Sequence, residues 1–225
     1  MRDVALSNRL AALYDRRALQ GYVRWKIRTD PAYSAALEAL RGRDLPLVDV
    51  GCGVGLLAFY LREQGYTAPV IGIDFDRRKI DVARAAAENY RDVEFIAGDA
   101  RDPLPEGHNV VLLDLLHYFD SASQQKILAN VARVVPPGGA VILRQPIRDR
   151  SWRYRLTAGV DSLARTFRWM KAESLNYPTR EEVTAPFEGF ASEIRPLWGR
   201  MPYNTYFFVF TRVAELSRVR PENST

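Results

Sequence analysis

The chain has 225 residues, 47% of them apolar, a single cysteine, and 32 basic against 27 acidic side chains for a formal charge of +5. That length supports one α/β domain with a full core, while a lone Cys52 excludes an intrachain disulfide framework and fits a reducing, cytoplasmic setting. Runs such as Asn109–Leu116 and Tyr206–Phe210 are too short to span a bilayer, the opening MRDVALSNRLAALYDRR does not read as a signal segment, and the positive balance permits an acidic partner without identifying one.

Residues 1–44 predict two helices that form part of the substrate side. One runs from Ser7 to Gln20 and continues toward Lys26. The other spans Pro31–Leu40, with Asp30 as N-cap and proline at the first helical position. Strands and helices then alternate: LPLVDV, helix Leu56–Gln64, PVIGID, helix Arg77–Tyr90, VEFIAG, NVVLLDLL, helix Ser121–Val134 ended by PPGG, and AVILRQ. Such alternation implies a parallel sheet with helices on both faces. FASEIRPLW and YNTYFFVFTR are separated only by Gly199–Pro202, which leaves no room for a helix and predicts an antiparallel hairpin at the sheet edge. The expected architecture is an α/β three-layer sandwich, with a mostly parallel seven-stranded sheet and an antiparallel terminal hairpin. Its domain covers residues 45–214, with a lid insertion at about 145–178 before a last helix Thr179–Glu188, and residues 215–225 form a flexible tail.

The chemistry-bearing stretch lies between the first strand and its helix. Glycines 51, 53 and 55 let the backbone turn sharply and approach a ligand, and the helix that follows aims free N–H groups at it. Gly53-x-Gly55-x-x-Ala58 also fits a dinucleotide fingerprint, so a nicotinamide enzyme stays open at this point. Three carboxylates weigh on the choice. Asp49, two residues before Gly51, suits the ammonium of a methionyl group and would repel a pyrophosphate. Asp74 ends the second strand, placed to accept ribose hydroxyls under either reading, and Asp99 in AGDARD is placed to accept from an adenine amino group. Each alone could be a cap or turn residue; together they carry more than separately.

Over about residues 45–212 the sequence resembles the class I S-adenosylmethionine-dependent methyltransferases. VDVGCGVG is similar to that family's first motif, GIDFD to its acidic second-strand motif and IAGDARD to its adenine-binding turn. NVVLLDLLHYF is similar to its fourth-strand motif, PPGG to the turn before strand five, and the terminal hairpin to its reversed last strand. The resemblance implies a Rossmann-like fold and S-adenosyl-L-methionine as cofactor. Gly51, Gly53 and Gly55 would meet its methionyl part, Asp74 the ribose, Asp99 and the Ala100 backbone the adenine, with Leu115 and Leu116 along the far side of the pocket. YVRWKIRTDPAY, LLDLLHYF and LRQPIRDRSWRYRLT further resemble a bacterial subgroup of small methyltransferases, some members of which are associated with aryl polyene or fatty-acid-like biosynthesis.

Methyl transfer asks for in-line placement, for which effective molarities reach roughly 10⁵–10⁸ M. A phenolic acceptor lies about three pH units from ionised at neutrality, a cost of about 4 kcal/mol. A positioned base contributing about 10²–10⁴-fold would cover most of that, and a carboxylate acceptor would need no base. His117, directly beyond the fourth strand, is the candidate base, with a packing role beside Tyr118 as the alternative; Tyr118 is a candidate to stack on substrate. His108, in PEGHN at the opposite edge, is expected to be solvated.

RDRSWRYRLTAGVDSLARTFRWMK, residues 148–171, carries seven basic against two acidic residues interleaved with aromatics. As a lid it offers Arg148 and Trp152 as substrate contacts. Arg148, Arg150, Arg153 and Arg155 could hold an anionic substrate, the phosphopantetheine arm of an acyl carrier protein, or nucleic acid. An amphipathic helix with a solvated basic face explains the same pattern. The reading is methyl transfer to a small-molecule acceptor, an aromatic hydroxyl, ring carbon or carboxyl, free or carrier-bound. An RNA or DNA methyltransferase is the alternative, disfavoured because DLLH replaces an Asn/Asp-Pro-Pro-aromatic motif and no RNA-binding module is apparent. No metal is expected, since Asp114 lacks an obvious Asp-Asn pair. Asp49 and the hairpin disfavour a dinucleotide-dependent reductase, and the intact aspartates disfavour a non-catalytic cofactor-binding protein.

Overall fold

Each apolar run becomes a strand in the computed structural model, which describes residues 4–156, 175–198 and 203–213. The strands are β1 (Leu47–Val50), β2 (Val70–Asp74), β3 (Val93–Ala97), β4 (Asn109–Leu113), β5 (Ala140–Pro146), β6 (Phe190–Pro196) and β7 (Thr205–Arg212). They build one sheet in the order β3-β2-β1-β4-β5-β7-β6. The first five pair in parallel, whereas β7 runs antiparallel to both β5 and β6. The hairpin therefore closes one edge, with β7 slotted inside β6.

Strand periodicity sends alternate side chains to opposite faces, and both faces are covered. Ile142 of β5 joins Val111 and Phe207 in a core under α1 (Val4–Ala12), α2 (Arg17–Thr29), α3 (Ala32–Leu40), α4 (Leu56–Glu63) and α5 (Arg77–Ala86). Val141 and Leu143 join Val110, Leu112 and Phe208 in a second core under α6 (Ser121–Val134) and α7 (Arg180–Thr184).

Three helix boundaries differ from the sequence expectation, each for a local reason. The expected helix Ser7–Gln20 breaks between α1 and α2, because Tyr14 turns inward; its hydroxyl donates to the Val54 carbonyl at 3.0 Å and its own carbonyl accepts from Gln20 at 2.7 Å. Helix α5 stops at Ala86, short of Tyr90, whose hydroxyl reaches across to Glu63 at 3.0 Å. The expected helix Thr179–Glu188 contracts to α7, opened by a Thr179–Glu182 capping box and continued from Ala185 to Phe187 as a 3₁₀ turn containing Pro186. Pro31 occupies the cap of α3, and Asp30 accepts from the Ala32 N–H at 2.9 Å. Most of the expected lid, residues 157–174, the turn Gly199–Pro202 and the tail 215–225 lie outside the described residues.

Candidate active site

Strand order reverses at β1, whose neighbours are β2 on one side and β4 on the other. Ligands of open α/β sheets bind at the carboxyl ends of the strands, where that reversal opens a crevice. Asp49, the glycine loop, Asp74, Asp99, Leu115 and His117 all lie on or just beyond those strand ends.

Gly55 is the cap of α4 at φ +81°, and a Cβ added there would stand 2.4 Å from the Phe95 ring. Its lack of a side chain is thus a packing need as well as a conformational one. Gly53, at φ +59°, is the contrasting case: an added Cβ would meet nothing within 4 Å among the described residues. The loop is held from below by Gly51 and Cys52 N–H bonds to the Ile73 carbonyl at 2.7 and 3.0 Å, and from above by Tyr14 on the Val54 carbonyl. Leu115 presses on Gly51, where a Cβ would come within 2.9 Å of its Cδ1.

Asp74 is buried and accepts from the Gly53 N–H at 3.0 Å and the Asp76 N–H at 2.9 Å, with the Lys79 ammonium 3.8 Å away. A carboxylate offers about four lone-pair sites, so this one retains acceptor capacity. Asp49 is 3% exposed, and its Oδ2 has no hydrogen-bond partner among the described residues. Burial, with the Asp74 charge nearby, pushes its pKa up to about 7. An unsatisfied buried carboxylate oxygen is costly and points to a group that is to be received there. Ala100 is buried. Asp99 takes the Arg101 backbone N–H at 2.8 Å and its guanidinium at 2.9 and 2.6 Å, which holds the carboxyl below its usual range. Phe75, next to Asp74, is 74% exposed and was not marked by the sequence reading.

Beyond β4 the chain enters a 3₁₀ turn, Leu116–Tyr118. His117 is buried there, its ring 4.2 Å from Tyr118 and stacked at 5.9 Å on Tyr177. Tyr177 meets Tyr154 edge-on at 5.8 Å, so the helical turn at residues 152–156 reaches the histidine through aromatic rings. The Asn176 N–H donates to the His117 carbonyl at 2.9 Å, and Gln124 binds the Leu116, Phe119 and Asn176 carbonyls at 3.0, 3.0 and 2.7 Å. Arg148 pairs loosely with Glu182 at 3.5 Å. Trp152 is 62% exposed, with the Arg153 guanidinium 4.9 Å from its ring centroid and 4.0 Å from that of Trp198. His108 contacts the Glu106 carbonyl at 2.7 Å, far in the fold from His117.

The sequence reading missed a buried charge cluster on the same edge. Lys26 pairs with Asp30 at 2.7 Å, Asp30 accepts from Arg144, and Arg144 binds Asp114 in a fork, its Nε at 2.9 Å. The side chains of Arg144 and Asp30 are 8% and 9% exposed, that of Asp114 28%. Asp114 holds φ +57°, a left-handed conformation that costs a non-glycine residue about 1–2 kcal/mol. The available signal was an arginine inside the apolar run AVILRQ, because a buried guanidinium requires partners.

The profile of the methyltransferase domain family matches residues 47–139. The chain is similar to the cypemycin N-terminal methyltransferase of a Streptomyces species, 30% identical over 141 residues, 59% of this chain and 56% of that protein. It is similar to the demethylmenaquinone methyltransferase of Thermus thermophilus at 32% over 123 residues, 54% of this chain and 53% of that protein. It thus spans about half the length of these curated relatives. Among solved structures it matches magnesium protoporphyrin IX methyltransferase from Synechocystis PCC 6803 with S-adenosylhomocysteine bound, at TM-score 0.65 and 18% identity over 92% of each chain. It also matches human N-acetylserotonin methyltransferase in complex with S-adenosylmethionine, at TM-score 0.61 and 18% identity, covering 93% of this chain and 57% of that one. The fold is shared with these structures.

Proposed function

We propose that this chain, whose residues 47–139 match the methyltransferase domain family, transfers a methyl group from S-adenosylmethionine to a small-molecule acceptor. One observation carries the proposal: among the described residues, a buried carboxylate oxygen of Asp49 has no hydrogen-bond partner and lies beside a glycine loop with open space over Gly53. That pairing suits a ligand with a cationic tail and a close backbone approach, and it would repel a pyrophosphate. S-adenosyl-L-methionine, when bound, supplies a methyl group on a sulfonium. Asp49 would receive its ammonium, and Gly51, Gly53 and Gly55 its methionyl chain. Asp74 would accept from the ribose with the lone pairs its two backbone bonds leave over, Asp99 and the Ala100 backbone would meet the adenine, and Leu115 would close the far wall.

His117, Tyr118, Arg148 and Trp152 serve the acceptor side in this reading. Support comes from the aromatic chain Tyr154–Tyr177–His117–Tyr118, which joins the lid to the end of β4. Such a surface suits a planar acceptor bearing a hydroxyl, a reactive ring carbon or a carboxyl. Two similar proteins are named for demethylmenaquinone and magnesium protoporphyrin IX. The exposed Arg148 and Arg150 extend the proposal to an acceptor carried on an acyl carrier protein, in a cytoplasmic setting that keeps buried Cys52 reduced. The positive excess argues little for nucleic acid, since Arg9, Arg101, Arg133 and Arg144 all pair with carboxylates of the fold.

The test is transfer from methyl-labelled S-adenosylmethionine into a fractionated bacterial extract, with Asp74→Ala as control. Label in small molecules, or in small proteins that release it on thioester cleavage, supports the proposal if it vanishes in the control. Label in RNA or DNA overturns it.

A further inference from the structure

Gln145 is fully buried at the end of β5, and its side chain is ringed by groups whose polarity is not negotiable. The Leu116 backbone N–H, 3.1 Å away, can only donate, so it fixes the amide oxygen Oε1 on its side. The Pro146 carbonyl, 3.4 Å away, can only accept, so it fixes the nitrogen Nε2 on the other. Turning the amide over would set N–H against N–H at Leu116 and oxygen against oxygen at Pro146. Buried polar groups rarely tolerate either mismatch. The remaining Nε2 hydrogen points at His117 Nδ1 across 3.2 Å. That nitrogen must therefore be the one with the lone pair, and in a neutral imidazole the proton then sits on Nε2.

We infer that Gln145 is a positioning residue that locks His117 as the neutral Nε2–H tautomer, so that His117 meets an acceptor as a hydrogen-bond donor and not as the base. The groups packed on the ring fit this role. Among the described residues, Tyr118 and Tyr177 cover it with aromatic faces, and the Asn176 N–H engages the His117 main-chain carbonyl. An N–H in such surroundings best recognises an atom that accepts, an ionised oxygen above all. The inference rests on the methyl-transfer reading for that consequence: the preferred acceptor is an acid, carboxylate or acidic phenol, that arrives already deprotonated. Its oxygen would then form the bond to the methyl carbon as the sulfonium's S–CH3 bond breaks, with S-adenosylhomocysteine leaving as the neutral thioether and no proton left for His117 to remove.

The tautomer can be read without knowing the acceptor. The chain has two histidines, so ¹⁵N-histidine labelling in a His108→Gln background leaves a single imidazole, whose two nitrogens are distinguished by their couplings to the ring C–H protons. At pH 7.5, with S-adenosylhomocysteine added, the expected spectrum has a protonated Nε2 and a lone-pair nitrogen at Nδ1. Gln145→Glu keeps an oxygen for Leu116 but replaces the donor facing Nδ1 with an acceptor, and should move the proton to Nδ1. In the labelled-extract assay the same variant should transfer methyl at least tenfold more slowly at unchanged S-adenosylhomocysteine affinity. A wild-type spectrum with the proton on Nδ1, or faster transfer by Gln145→Glu, overturns the inference. If Gln145→Glu does not fold, the wild-type spectrum decides alone. Failure of the methyl-transfer reading would instead appear as absence of any label, with the spectrum unaffected.

Discussion

Asp49 links the site to pH through a carboxyl whose folded pKa, about 7, lies above its unfolded value of 3.8. The folded chain binds more protons than the unfolded chain between those values, so this group favours folding at low pH, and its contribution is lost as pH rises toward 7, by up to about 1.4 kcal/mol per pH unit. A ligand ammonium reverses the preference, because it needs the carboxylate. Affinity for S-adenosylhomocysteine should therefore strengthen about tenfold from pH 6 to pH 8 by calorimetry, while Asp49→Asn binds more weakly, shows no such dependence, and melts higher than wild type at pH 8. The glycines separate the same two demands. Gly53→Ala should lower stability by only about 1–2 kcal/mol, the left-handed cost alone, yet obstruct ligand. Gly55→Ala adds a collision with Phe95 at 2.4 Å and should cost clearly more in urea denaturation, on the order of 3 kcal/mol or above. Equal losses for the two would show that the loop's glycines serve only conformation.

At the scale of elements, the Lys26–Asp30–Arg144–Asp114 cluster ties the junction of α2 and α3 to the carboxyl ends of β4 and β5. Burial alone would raise the Asp30 pKa, but Arg144 and Lys26 more than reverse it, to about 2. The sign is thus opposite to that of Asp49: Asp30 contributes stability above its unfolded value of 3.8, and loses it as pH falls through about 2. Asp30→Ala leaves Arg144 and Lys26 without that partner and should cost about 3–5 kcal/mol at pH 7, with the penalty shrinking progressively below pH 4 in denaturant titrations. The arginine inside AVILRQ signalled that partners were needed, but not which ones, because Arg144 and Asp30 lie 114 residues apart and only tertiary folding makes them neighbours. The strands and α6 were legible for the opposite reason: Ser121–Val134 has a carboxylate cap at Asp120, a buried stripe of Ile127, Leu128, Val131 and Val134, and a stop at PPGG, all local. Tyr14 breaks an otherwise continuous helical pattern only because a carbonyl of the glycine loop waits for its hydroxyl, which no window of α1 could reveal.

For the whole molecule, the N-terminal helices and the glycine loop share one core: Leu10, Tyr14, Val23 and Leu40 pack with Phe59 and Phe95, and Phe95 is the ring that excludes a side chain at Gly55. Ligand bound at the loop should therefore stabilise the chain as a unit, not a local segment, and a single melting transition should move. Three features decide which ligand moves it. Asp49 places an acidic group where a dinucleotide would bring its pyrophosphate, the space over Gly53 admits a main-chain contact, and Asp74 serves a ribose in either case. A ligand at about a hundred times its dissociation constant adds roughly 2.7 kcal/mol. For a chain of this size that is a rise of about 5–10 °C in Tm. S-adenosylhomocysteine should produce such a rise at pH 8 and a smaller one at pH 6, where Asp49 is largely protonated, whereas NAD at the same concentration should produce none at either pH. A rise with NAD alone would mean that the Asp49 carboxyl stays protonated beside a phosphate, and that a reductase is the better reading of the same strand order.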